Sequence, residues 1–201
     1  KMSSPAPPEG YTIATPMTGF YKEKGSKFYA YAYPLSKRAA VDERLAEVQA
    51  EYPDACHIVY AWRIGEDMHA SDAGEPANSS GPPVLRQIQS HELTHAMCIV
   101  VRNFGGVKLG VSGLIRAYGA AAAEALGKAE RVPYVELSEL KFSYAYDDTA
   151  AIERLLREYE VDVIDTAYTA TCRAHVQLPT VQAQALVGAL QNQAFELERK
   201  D

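Results

Sequence analysis

The five letters HELTH, His91 to His95, spell the zinc-peptidase pattern H-E-x-x-H. That chemistry needs two histidines four apart on one helix face, so that both imidazoles reach one metal while the glutamate activates water. Here the stretch falls between a short helical pattern and an apolar run, where residues i and i+4 do not lie side by side. Cys98 and Val101 hold the nearby downstream positions, so no third histidine follows at metzincin spacing. Glu124 is the only carboxylate on the next helix that can serve as a third ligand. The stretch reads as a connection, and we expect no metal.

A second group of residues is RNFGGVKLGVSGLIRAYG, with Gly105, Gly106, Lys108, Gly110, Gly113 and Arg116. Glycines followed by a helix start at Ser112 or Gly113 can cradle an anion on orphan N–H groups, with Lys108 and Arg116 adding charge. The same glycines serve equally as a hairpin turn at Gly105–Gly106 and as close-packing positions. The pattern is not a P-loop. A third group is HASDAGEPANSSG, where Asp72 and Glu75 can hold a hard cation or act as acid and base. With no visible partner, the simpler reading leads: Asp72 caps a turn, Pro76 stiffens it and Glu75 is solvated. His57 alternates with Cys56 and Ile58 on a strand, and His69 and His175 show no partner. Neither a G-x-S-x-G elbow nor a Cys–His pair is present.

These residues need a scaffold, and the pattern supplies one. KFYAYAYPL reads as a strand over Phe28–Tyr33, and a helix capped by Ser36 runs to Glu51 with Val41, Leu45 and Val48 on one face. CHIVYAWRI is a second strand, followed by a long turn-rich stretch from Gly65 to Pro83. PVLRQIQ is a short helix, and THAMCIVVRNF a buried strand. A helix to about Leu126 follows, packing through Leu114, Ala117, Tyr118, Ala121 and Ala125. From Pro133 the pattern becomes strand, helix after Asp147/Asp148, strands VDVIDTAY and CRAHVQL, helix from Pro179/Thr180, and a last strand in AFELER. That is a βαββαβ, ferredoxin-like order.

Composition bounds the partners. Residues 1–135 hold 14 Lys and Arg against 14 Asp and Glu, and 136–201 hold 6 against 12, so the whole net charge of −6 falls in the last third. A protein that coats DNA would show a basic excess. KMSSPAPPEG has no apolar run of the secretory kind, and AMCIVV is too short to span a bilayer. Three scattered cysteines without C-x-x-C fit buried thiols in a reducing compartment. We expect a cytoplasmic protein with no membrane partner.

The blocks KEKGSKFYA, CHIVYAWRIG, ASDAGEPANSSGPPVL and VVRNFGGVKLGVSGLIRAYGAAAAEAL, in that order, resemble the signature of the YigZ/IMPACT family. The similarity covers about residues 18–130, and the remainder resembles the C-terminal domain of bacterial members. The resemblance implies an α+β protein. Its N-terminal domain, residues 1–134 with 1–17 a loose extension, would have the left-handed βαβ fold of a ribosomal-protein domain and of elongation factor G domain IV. Residues 135–201 would be ferredoxin-like. Carried over by position, the motif residues include Lys24, Ser26 and Lys27, His57, Ser71, Asp72, Gly74, Glu75 and Pro76. Arg102, Phe104, Gly105, Gly106, Lys108, Leu109, Gly110, Gly113, Leu114, Arg116, Ala117 and Tyr118 complete them. Ala73 stands where the family usually has a second aspartate, Asn103 where it has tyrosine and Ser112 where it has glycine. Asn78–Ser80 replaces a Ser/Gly-Thr-Ala-like run.

The family's eukaryotic relative is a translational regulator, so the resemblance implies a non-enzymatic accessory factor of translation that binds the ribosome, RNA or a protein partner. Lys24, Lys27, Arg102, Lys108 and Arg116, with the glycines between them, are the candidate anion or nucleic-acid surface. His57, Ser71, Asp72 and Glu75 form a motif loop, and no cofactor is expected. The alternative is an enzyme acting on a phosphorylated small molecule, since the resemblance implies a fold shared with GHMP kinases, but their phosphate signature P-x-x-x-G-L-G-S-S-A is not matched.

Overall fold

The computed structural model describes residues 9–55, 57–192 and 196–197. The chain divides into two compact units at Tyr134/Val135. The first contains β1 (Gly10–Ile13), β2 (Met17–Glu23), β3 (Ser26–Pro34), α1 (Ala40–Glu51), β4 (Ile58–Ile64) and β5 (Asp67–Ser71). It continues with α2 (Gly81–Ser90), β6 (Ala96–Asn103), α3 (Gly110–Lys128) and β7 (Arg131–Tyr134). Its main sheet runs β2-β3-β6-β4-β5, with every neighbouring pair antiparallel. β3 and β4 therefore run parallel to each other with β6 inserted between them, and α1 is the crossover. The N-terminal extension is not wholly loose: Gly10–Ile13 pairs with Arg131–Tyr134, while residues 1–8 lie outside the described residues.

The central strand shows why the sequence runs apolar without alternation. Ala96 to Val101 are all buried, because both faces of the sheet are covered. On one face Phe28, Ala30, Val59, Cys98 and Val100 pack under α2 and α3. On the other, Tyr33, Trp62, Met97 and Ile99 pack under Val41 and Val48 of α1. Small residues set the helix-to-sheet distance. Ala117, Ala121, Ala122 and Ala125 are fully buried, and a Cβ on Gly19 of β2 would lie 2.5 Å from the Ala125 backbone nitrogen. Burial pushes the Cys98 thiol up to about 12, so it is an inert core residue.

Several boundaries differ from the sequence expectation. α1 starts at Ala40, and Ser36 makes no cap. α3 starts at Gly110, before the expected Ser112 or Gly113. Inside the expected long loop, Asp67–Ser71 forms β5, an edge strand on β4. Its sequence, DMHAS, has one large apolar residue because an edge strand that stays mostly exposed has little to bury.

The second unit contains β8 (Leu137–Tyr144), a 3₁₀ turn at Tyr146–Asp148, α4 (Thr149–Glu158), β9 (Asp162–Tyr168), β10 (Cys172–Pro179), α5 (Thr180–Asn192) and β11 (Glu196–Leu197). The order β11-β8-β10-β9, antiparallel throughout, is ferredoxin-like. Alternate residues of β10 (Cys172, Ala174, Val176, Leu178) meet Ile152 and Leu155 of α4 and Leu186 and Leu190 of α5 in one core. No helix among the described residues is long and apolar enough to cross a membrane.

Candidate functional site

Strand directions bring the motif blocks to one end of the five-stranded sheet. Lys27 at the start of β3 faces Asn103 at the end of β6, Val101 faces Ile58 at the start of β4, and Tyr60 faces Ser71 at the end of β5. The β2–β3 turn, the 72–80 loop, the 104–109 loop and the start of α3 are therefore neighbours. At the turn, Lys24 and Gly25 both have positive φ (45° and 83°), the signature of a two-residue hairpin of the type that suits strand twist.

The 72–80 loop is tied by its own polar groups. Asp72 Oδ1 accepts from the backbone N–H groups of Ser80 (3.1 Å) and Gly81 (2.9 Å) and from Ser80 Oγ (3.0 Å). Its Oδ2 accepts from the Asn78 N–H at 2.8 Å. Burial raises the Asp72 pKa, but the hydrogen bonds from Gly81, Asn78 and Ser80 together outweigh it and hold the carboxyl below its ordinary value. The carboxylate thus closes the loop and caps the start of α2. His57 Nδ1 donates to the Ala73 carbonyl at 2.8 Å, and the Ala73 N–H donates to Ser71 Oγ at 3.3 Å. These bonds hold Ala73 at φ 48°, a left-handed conformation that is unfavourable for alanine.

Glu75 is not solvated, contrary to the simpler sequence reading. Its side chain is 5% exposed, and Oε1 accepts from Arg102 Nη1 at 2.8 Å and from the Tyr118 hydroxyl at 2.7 Å. Burial and then the Glu75 carboxylate push the Tyr118 hydroxyl pKa up, so it remains a donor. Arg102, expected among the anion-binding cations, is itself buried, with its side chain 7% exposed and its guanidinium near the rings of Phe28 and Phe104. Removing one partner of such a pair costs about 3–5 kcal/mol, so Arg102 is a structural charge rather than a surface one. Asp72 and Glu75, the two carboxylates whose sequence context suits acid–base or cation chemistry, are both held in internal bonds. Among the described residues, no group of three or more His, Cys, Asp or Glu is placed to hold a metal.

The glycine-rich segment is divided in role. Gly105 makes a backbone contact: its N–H donates to Ser26 Oγ at 3.1 Å, and an added Cβ would lie 2.0 Å from the Gly25 carbonyl carbon. It is a close-approach position and not a β-hairpin turn, since α3 rather than a strand follows. Gly113 is buried against Leu109 inside α3. Gly106 (φ 87°) and Gly110 (φ 72°) have open space where a Cβ would go. Arg116 pairs with Glu23 across the α3–β2 contact, and the bond from Arg116 lowers the Glu23 pKa. Sequence reasoning did not find Glu23, and nothing in its spacing points to it. Lys24, Lys27 and Lys108 are exposed and make no ion pair among the described residues. Beside them Phe104 is 62% exposed, and Val107 and Val111 are about half exposed.

HELTH connects α2 to β6. His91 follows the last residue of α2 and its Nδ1 donates to the Gln87 carbonyl at 2.8 Å. Glu92 and His95 have positive φ, Glu92 pairs with Arg131, and the His95 ring stacks on Tyr134 at 3.7 Å. The two histidines do not share a helix face.

Two family models match the chain. Residues 24–126 match the Impact N-terminal domain, and residues 142–194 match a domain of unknown function, DUF1949. An IMPACT family member of Thermus thermophilus is 38% identical over 155 residues, covering 77% of this chain and 84% of that protein. The IMPACT family member YigZ of Escherichia coli (strain K12) is 31% identical over 174 residues, covering 84% and 85%. A solved structure of a hypothetical protein superposes with a TM-score of 0.70 at 28% identity, over 96% of this chain and 97% of that one. The motif blocks gathered at one end of the first sheet and the ferredoxin-like second unit thus have one origin: the chain belongs to the IMPACT family.

Proposed function

We propose that this chain is a cytoplasmic accessory or regulatory factor of translation that docks on RNA through the end of its first sheet. The chain belongs to the IMPACT family, and the link to translation is what the resemblance to that family, with its eukaryotic translational regulator, implies. The observation that carries the RNA reading is the grouping of Lys24, Lys27 and Lys108 with the exposed Phe104 ring. Ammonium groups neutralise phosphates, an exposed ring stacks on an unpaired base, and the N-terminal N–H groups of α3 face the same end. The tied 72–80 loop and the buried Glu75–Arg102 pair act as scaffold, giving that end a fixed shape.

Co-sedimentation with ribosomes across a salt series tests this. The variant Lys24→Ala/Lys27→Ala/Lys108→Ala is expected to fold normally, since all three side chains are exposed. It should bind weakly and lower the slope of log K against log salt by roughly 2–3. Arg102 and Arg116 are left in place because both hold carboxylates of the fold. An unchanged slope, or no binding by the wild type at low salt, would overturn the RNA reading.

A further inference from the structure

The second unit has an edge that nothing in the first proposal uses. β9 ends its sheet: it pairs with β10 on one side, and among the described residues no strand pairs on the other. Six of its seven residues are exposed, including Val163 (51%), Ile164 (48%) and Tyr168 (57%). The register shifts beside Val176, which leaves Ile164 as an extra residue. Native edges are commonly blunted by lysine, proline, a bulge or a covering helix; β9 has the bulge at Ile164 and two aspartates, but no lysine or proline.

Beside this edge, between α4 and the start of β9, lies an open groove of about 420 Å³ lined by Glu153, Leu156, Arg157, Glu160, Val161, Asp162 and Val163. Its wall is aliphatic, from Leu156, Val161 and Val163. Its charged residues are Glu153, Glu160 and Asp162 against Arg157, which is itself 3.9 Å from Glu153. Val163 and Tyr168 face the inward residues Val176 and Cys172 of β10, so they point to the helix side of the sheet, the side of the groove. A strand added to β9 would send every second side chain to that face, and those beside the start of β9 over the groove. Side chains with an aliphatic stem and a cationic head match both the aliphatic wall and the carboxylates.

We propose that the free edge of β9 docks an extended segment of a protein partner bearing lysine or arginine at alternate positions, which joins the sheet as a fifth strand. Backbone hydrogen bonds along the edge hold the segment, and the carboxylates at the groove, Glu160 foremost, select its charge.

The test uses the full chain and a fluorescein-labelled peptide alternating lysine and threonine. Two control peptides accompany it, one with glutamate in place of lysine and one N-methylated at alternate residues so that the donors facing β9 are lost. Fluorescence anisotropy is expected to show salt-sensitive binding to the lysine peptide. Affinity should fall by at least about tenfold on N-methylation and by a similar factor in Glu160→Lys/Asp162→Lys, a change confined to exposed side chains. The glutamate peptide should not bind. Equal binding of the N-methylated peptide would reduce the interaction to simple charge attraction and overturn strand addition. Failure of the lysine peptide to bind, unaltered affinity in the variant, or binding of the glutamate peptide would equally overturn the proposal. So would a concentration-dependent dimer abolished by the variant, since the edge would then belong to a second copy. No RNA enters these measurements, so their failure and that of the RNA reading are separate.

Discussion

Asp72 holds three backbone N–H groups and one hydroxyl with a single carboxylate, and its pKa is lowered by that arrangement. An aspartate in the unfolded chain titrates near about 3.9. In the fold it titrates lower, so its contribution is complete above that value and is lost as the pH falls through the folded value. Asp72→Ala should destabilise the first unit by about 1–2 kcal/mol at neutral pH. Urea unfolding of variant and wild type should then show the difference shrinking once the pH falls below about 4. A difference that persists at low pH would mean that the loop needs the side chain's shape and not its charge. The turn-capping role of Asp72 was legible in the sequence, because aspartate among Gly, Pro and Ser has few other uses. The role of Glu75 was not: its partners Arg102 and Tyr118 are 27 and 43 residues away, and no local pattern signals a contact at that separation.

Alternation and helical period made most elements readable where each buries one clear face. β10 is the plainest case, with Cys172, Ala174, Val176 and Leu178 inward and Arg173, His175 and Gln177 between them. β5 is hard to read because an exposed edge leaves little pattern, and Gly110 reads as a breaker although α3 begins there. The alanine run of α3 lets that helix approach closely, and the structure supplies its counterpart in Gly19 of β2. Gly19→Ala would place a methyl group 2.5 Å from the Ala125 nitrogen and 3.0 Å from the Ala121 carbonyl oxygen. Since both are helix backbone, α3 must shift off the sheet, and we expect a loss of about 1–3 kcal/mol. Chemical denaturation measures it. A neutral result would show that β2 can yield in place of the helix.

At the scale of the whole molecule, two cores of unequal size share one chain. The first spans both faces of a five-stranded sheet, and the second fills one face of a four-stranded sheet. The single tryptophan, Trp62, lies in the first unit at 6% exposure. Its fluorescence therefore reports that unit alone, while far-ultraviolet circular dichroism reports both. With denaturant, the smaller core should yield first, giving an early dichroism change that fluorescence does not register. Coincident curves would mean that the two units unfold as one. The placement of β6 adds a demand of a different kind, one of timing. β2–β3 and β4–β5 are made early, yet the strand that joins them is Ala96–Asn103, whose pairs reach from Pro34↔Ala96 out to Lys27↔Asn103. Such distant pairings close slowly. As the chain is synthesised, β3 and β4 each present a bare inner edge until those eight residues arrive. A chain stopped before Ala96 is thus not half a domain but two adhesive hairpins, and the vulnerable period of this protein's life is set by the delivery of one strand.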